Sequence, residues 1–131
     1  MIVADTNLIA YFFIPGQFSE KAKAVFLKDP DWAAPLIWKS EFRNVLATYL
    51  RSGHLDLDLA LTLAREAEGL LHGNEFSVPT EKVLRLVLKS KCSAYDCEFA
   101  ALAEELGIRL VTSDKMILSS FPKLALAIDR F

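Results

Sequence analysis

Asp5, Glu41, Asp96 and Asp114 stand where the surrounding pattern asks for an apolar or a turn residue. Asp5 ends the apolar run Ile2-Val3-Ala4, and Asp114 follows Leu110-Val111 after Thr112-Ser113. Glu41 interrupts one helical apolar stripe and Asp96 heads another. Carboxylates this far apart in sequence share a pocket only if the fold gathers them, and their repulsion must then be answered. Two unit charges about 4 Å apart repel by ~1 kcal/mol in water and by ~4 kcal/mol in the lower effective dielectric near a protein surface. A divalent cation is the usual answer. Carboxylates without histidine or thiolate neighbours select a hard one, Mg²⁺ or Mn²⁺.

Each acid also has a local explanation. Asp5-Thr6-Asn7 directly precedes an apolar helical segment, so a plain N-cap accounts for it. Thr112-Ser113-Asp114 before Lys115-Met116-Ile117-Leu118 offers three capping residues. Ser93-Ala94-Tyr95-Asp96 reads as a capping box, with Asp96 a shorter arm than the usual Glu. Glu41 is harder to explain locally. It falls among Trp38, Phe42, Val45, Leu46 and Tyr49, and a carboxylate there is unfavourable unless a charge, a metal or strong donors meet it. Lys39 and Arg43 lie two residues away, off to the sides of that helix, so only a distant cation could pair with it.

Other chemistries find little support. His54 and His72 sit near helix ends without metal-type neighbours, no glycine-rich phosphate loop occurs, and nothing marks a Ser/His/Asp or Cys/His set.

The elements that must position the acids are readable in order. Strands are expected at 2–4, 32–34 (closed by Pro35), 75–78, 108–111 and 124–128. Helices are expected at 7–14, at 19–28 opened by a Ser-Glu cap, at 36–51, 57–71, 80–89 opened by a Thr cap, 94–106 and 115–119. Short strands alternating with helices predict an α/β fold, a parallel sheet covered on both faces. Ligands of such sheets bind at the carboxyl ends of strands, where the strand order reverses, and Asp5 and Asp114 both fall at strand ends.

At 131 residues the chain fits one domain spanning 1–131, with no repeat, low-complexity stretch or linker. Its 53% hydrophobic content is high for a small soluble monomer and points to apolar surface covered by a partner or a second copy. The longest apolar run, from Leu8 to Ile14, is too short to span a bilayer, and no basic segment precedes the first apolar residues, so neither a membrane span nor a signal peptide is expected. Cys92 and Cys97 read as reduced, core-type thiols of a cytoplasmic protein. A net charge of −2 gives no global basic footprint, so a nucleic-acid substrate would have to be held locally.

Taken together, Val3-Ala4-Asp5-Thr6-Asn7, the helical Glu41, Ser93-Ala94-Tyr95-Asp96 and Val111-Thr112-Ser113-Asp114 resemble the PIN-domain ribonucleases, and among them the VapC-like toxins of type II toxin–antitoxin pairs. The resemblance runs over essentially the whole chain. It implies a three-layer α/β/α sandwich around a parallel sheet of four to five strands, with Asp5, Glu41, Asp96 and Asp114 holding one or two Mg²⁺ or Mn²⁺ ions for hydrolysis of RNA. It also implies that Thr6, Asn7 and Thr112 orient the acids or the water shell of the metal. Two positions depart from the common pattern: Cys97 replaces a small alanine after the third acid, and Ile117 leaves out a fifth acid found in some members.

The same resemblance implies a small antitoxin lying over the site. The apolar excess fits that partner and a homodimer equally, with Leu8–Phe18 and Leu57–Leu71 as contact surfaces and ordinary core packing as the alternative. A nuclease of RNA maturation, or a non-catalytic interaction module whose acids only cap helices, stays open at this level. Lys39, Arg43 and Lys115 flank the acids and could meet phosphates, or simply be solvated.

Overall fold

The computed structural model describes residues 1–131. Five strands, β1 (Ile2–Ala4), β2 (Trp32–Pro35), β3 (Glu75–Phe76), β4 (Leu110–Thr112) and β5 (Ala125–Ala127), form one all-parallel sheet in the order β3-β2-β1-β4-β5. Seven helices connect them: α1 (Thr6–Phe13), α2 (Ser19–Lys28), α3 (Trp38–Arg51), α4 (Leu57–Leu71), α5 (Thr80–Leu88), α6 (Ala94–Leu106) and α7 (Lys115–Ser120). The chain steps outward from β1 to β3 and then crosses back to β4. Right-handed crossovers therefore put α1–α4 on one face and α5–α6 on the other, giving the three layers. Consistent with this, α6 packs on β1, β2 and β4 with α5 against it, while α1 packs on α2, α3 and α4.

The central strands are buried on both sides, which is why they read as unbroken apolar runs; Ile2, Val3, Ala4, Leu110 and Val111 all lie in the core with Trp32 and Phe99. Phe12, partly buried, stacks on Phe26 at 4.6 Å between ring centroids and meets the Trp32 ring at 5.3 Å, so it packs against the core. Helix α4 buries Ala60, Leu63, Ala67 and Leu71 but leaves Leu57, Leu59 and Leu61 exposed, and Leu84 and Leu88 of α5 are exposed as well. No helix is long and apolar enough to cross a membrane.

Several boundaries differ from the expectation, each for a local reason. Leu36 stays out of α3 because its N–H donates to the Phe76 carbonyl, continuing the pairing beside β3. Pro35 is part of β2, where it pairs only with Phe76 of β3 and β1 has already ended. Ile108 is not in β4; its N–H caps the end of α6 at the Ala103 carbonyl, and Gly107 makes that reversal with φ +67. Ser19 does not cap α2, since its hydroxyl accepts from the Gly16 N–H in the preceding turn, and Thr80 is the first helical residue of α5, not its cap. The third strand is only two residues long, and a 3₁₀ turn at Ile128–Arg130 takes up the end of the last expected strand.

Phe99 is fully buried on α6, the helix that carries Asp96, and packs within the core. Phe99→Ala is expected to lower stability by about 3–5 kcal/mol, as for other large-to-small changes at well-packed sites. Urea denaturation of the two chains measures this, and a difference below about 1 kcal/mol would contradict the packing described.

Candidate functional site

Between β1 and β4 the strand order reverses: β2 and β3 lie to one side, β5 to the other. Register pairs Val3 with Leu110 and Ala4 with Val111, and the Asp5 N–H donates to the Val111 carbonyl at 3.2 Å. Asp5 therefore leaves the sheet at its carboxyl edge with its side chain beside the end of β4. A cleft of about 430 Å³ opens there, lined by Asp5, Glu41, Asp96 and Asp114 together with Thr6 and Asn7. The four acids expected from sequence thus share one cleft.

Hydroxyl groups tie three of them into one chain. Thr6 donates from Oγ1 to Glu41 Oε1 at 2.7 Å, and its N–H donates to Asp5 Oδ1 at 2.8 Å. Thr112 donates from Oγ1 to Asp5 Oδ2 at 2.5 Å, and the same hydroxyl accepts from the Asp114 N–H at 3.0 Å. Both threonines are buried, Thr112 completely. Asp96 stands outside the chain on the first turn of α6, where its N–H donates to the Ser93 hydroxyl at 3.1 Å; that hydroxyl also bears on the carboxyl and opposes its rise, but no bond from the Ser93 N–H closes the expected box. Asn7 lines the cleft without a hydrogen bond to any of the acids.

Capping and clustering turn out to be the same arrangement. Asp5 caps α1, Asp114 caps α7 through the Ile117 N–H, and Asp96 and Glu41 lie in the first turns of α6 and α3. Four helix N-termini thus face one cleft, and each favours a nearby carboxylate by about 0.3–1 kcal/mol. That field does not neutralise them. Burial is the largest influence on Asp5 and lifts it from 3.8 to about 6 against the opposing Thr112 and Thr6 bonds, with the charges of Glu41 and Asp96 adding to the rise. Burial also raises Glu41, helped by Asp96 and Glu98, and raises Asp96, helped by Asp114.

No lysine or arginine pairs with any of the four acids. Lys39 and Arg43 are turned to Glu68 at 3.9 Å each, and Lys39 also approaches Glu75 at 3.7 Å. The cleft is an all-oxygen donor set of hard ligands with unanswered negative charge, which fits a divalent cation. Its side chains stand apart, however: no three of them form a ready-made chelating group.

Ser40, Asn44 and Tyr95 also line the cleft and were not singled out from sequence. Ser40 and Asn44 are four apart on α3, and Asn44 lies three after Glu41, a polar edge beside the apolar stripe that could have marked them. Glu98 bears on Glu41 although Ile117 supplies no fifth acid, and no spacing rule from Asp96 would have placed it there.

Because the folded chain holds the Asp5 proton up to about pH 6 and the unfolded chain only to 3.8, the folded state binds more protons between those values. Stability from this group is fully present at low pH and is lost as the pH rises, by about 3 kcal/mol in all. Urea unfolding without divalent cation from about pH 4 to about pH 8 is expected to show that decline, and Asp5→Asn to flatten it. A parent chain that gains stability over this range would refute the burial cost assigned to Asp5.

The PIN domain family model matches residues 2–124. Ribonuclease VapC3 of Pyrobaculum aerophilum is similar to this chain, 27% identical over 126 residues that cover 94% of this chain and 96% of that protein. The fold is shared with PAE2754 from the same organism (21% identity, TM-score 0.76, 98% of this chain and 90% of that one). It is shared also with FitAcB from Neisseria gonorrhoeae (18%, 0.78, 100% of both) and with a toxin–antitoxin complex from Klebsiella pneumoniae (17%, 0.71, 100% of both). The family match spans nearly every element that builds the cleft, and the chain belongs to the PIN domain family.

Proposed function

We propose that this PIN domain is an Mg²⁺- or Mn²⁺-dependent endoribonuclease and the toxin of a toxin–antitoxin pair. The observation that carries the proposal is the cleft itself: Asp5, Glu41, Asp96 and Asp114 converge at the strand-order reversal with no protein cation to meet them. The name of the Pyrobaculum ribonuclease supports RNA as substrate, and the Klebsiella complex supports a partner protein.

Asp5, Glu41, Asp96 and Asp114 would hold the cation, directly or through water. A bound divalent cation neutralises phosphodiester charge and makes water a stronger nucleophile. The chain's own residues do the positioning. Thr112 fixes Asp5 Oδ2 and Thr6 fixes Asp5 Oδ1 and Glu41 Oε1, so Asp5 presents a set orientation to the cleft. The N-terminal ends of α1, α3, α6 and α7 add partial positive charge where a phosphate would enter. Asn7, Ser40 and Asn44 supply neutral polar groups for the same phosphate or its waters. The exposed leucines of α4 and α5 are apolar surface for an antitoxin or a second copy of the chain.

Asp5→Asn is expected to reduce RNA cleavage by about 10³-fold or more, and Thr112→Val, which removes the orienting hydroxyl, by about 10- to 100-fold. Added Mg²⁺ or Mn²⁺ is expected to raise the Tm of the parent chain and to leave that of Asp5→Asn unmoved. Cleavage assays on purified protein and thermal melts with and without cation measure both. Parental cleavage by Asp5→Asn would overturn the assignment.

A further inference from the structure

The acid cleft does not end at its carboxylates. It shares Asn7 and Val45 with a neighbouring cavity of about 280 Å³ whose wall includes Tyr11, Phe18 and Tyr49. Tyr11 and Phe18 also border a third cavity, of about 360 Å³, which contains Ser113, Lys21 and Lys115. The two rings stand 4.7 Å apart, tilted by 39°, as a partition with a cavity on either side. This partition is anchored to the acid site, since the Tyr11 hydroxyl lies 3.4 Å from Ser113 Oγ, between Thr112 and Asp114 in sequence. Phe18 is 38% exposed, so its ring is not consumed by the core in the way that the Phe12 ring is. Beside it, Lys21 places Nζ 6.0 Å from the ring centroid while pairing with Asp129. Lys115, one residue after Asp114, makes no ion pair.

We propose that Tyr11 and Phe18 form a nucleobase subsite, stacking one unpaired base next to the phosphodiester in the acid cleft while the Lys115 ammonium meets an adjacent phosphate. The inference rests on the nuclease reading above and adds where the substrate's base goes. Ring surface and a free ammonium in succession match the alternation of base and phosphate along a single strand. A paired base offers no exposed face to such a partition. A net charge of −2 leaves holding of the strand to local contacts of this kind. A protein segment in these cavities is the alternative that the test below would reveal by exclusion.

The test uses the full chain carrying Asp5→Asn, so that RNA survives, with an unpaired oligoribonucleotide of about ten nucleotides bearing 2-aminopurine at successive positions. Binding, which needs no added cation in this variant, is expected to quench the fluorophore at one position. Phe18→Ala is expected to abolish that quenching and weaken binding by about 10-fold, Phe18→Trp to retain both, and Phe18→Leu to restore neither. Lys115→Ala is expected to reduce the slope of log affinity against log salt by about 1. The Phe18 variants should melt with the parent, and the same sequence annealed to its complement should bind without dependence on Phe18. Unchanged binding and quenching in Phe18→Ala, or equal dependence on Phe18 in duplex RNA, overturns the subsite and leaves these cavities to a protein partner. Cleavage by the chain with native Asp5 separates the two claims. If that chain cuts RNA and its Phe18→Ala form cuts with unchanged KM, the subsite alone fails. If it cuts no RNA yet the oligonucleotide is quenched through Phe18, the nuclease reading alone fails.

Discussion

The register between β1 and β4 is the constraint on which the site depends. With Val3 opposite Leu110 and Ala4 opposite Val111, the Thr112 hydroxyl comes level with Asp5 and can donate to one of its oxygens while accepting the Asp114 N–H. A slip of one residue would turn every side chain of the strand to the opposite face and separate the two acids. Burial of Ile2, Val3, Leu110 and Val111 on both sides of the sheet enforces that register, so the apolar core indirectly sets the spacing of the carboxylates. Thr6 extends the same chain to Glu41 and so fixes α3 relative to β1.

This arrangement keeps charge where charge is unfavourable. Asp5 is nearly buried, its oxygens are each satisfied by a donor, and still its carboxyl is raised to about 6. Hydrogen bonds and helix termini therefore orient the acids without neutralising them. Lys39 and Arg43, two residues either side of Glu41, are engaged by Glu68 and Glu75, and neither lines the cleft. A site that excludes its own lysines and arginines keeps its negative potential for a cation from solution, and that is the physical basis of the function proposed for this PIN domain.

The acids were legible in the sequence as misfits, and Glu41 most clearly, since no cap or neighbouring charge accounts for it. Within any one segment helix capping and a shared pocket look like rivals, whereas Asp5 and Asp114 do both, because the helices they cap begin at the same sheet edge. Strand ends were less legible. Hydrophobicity placed Ile108 in β4, but its N–H was needed to finish α6, and Thr112, polar and at the far end, was in the strand instead. An exposed aromatic such as Tyr95 and a polar helical residue such as Asn44 carry no functional signal in sequence until a cleft lies beside them.

Sequence by itself determined the alternation of strands and helices, the four carboxylates, and two threonines beside acids. These are properties of periodicity and side-chain chemistry, readable one segment at a time. Tertiary structure decided that β4 lies beside β1, that Lys39 and Arg43 face away, and that Tyr11 and Phe18 stand between cavities leading from the acids. Those outcomes depend on long-range pairing and on which neighbour satisfies each polar group, and no local pattern encodes either.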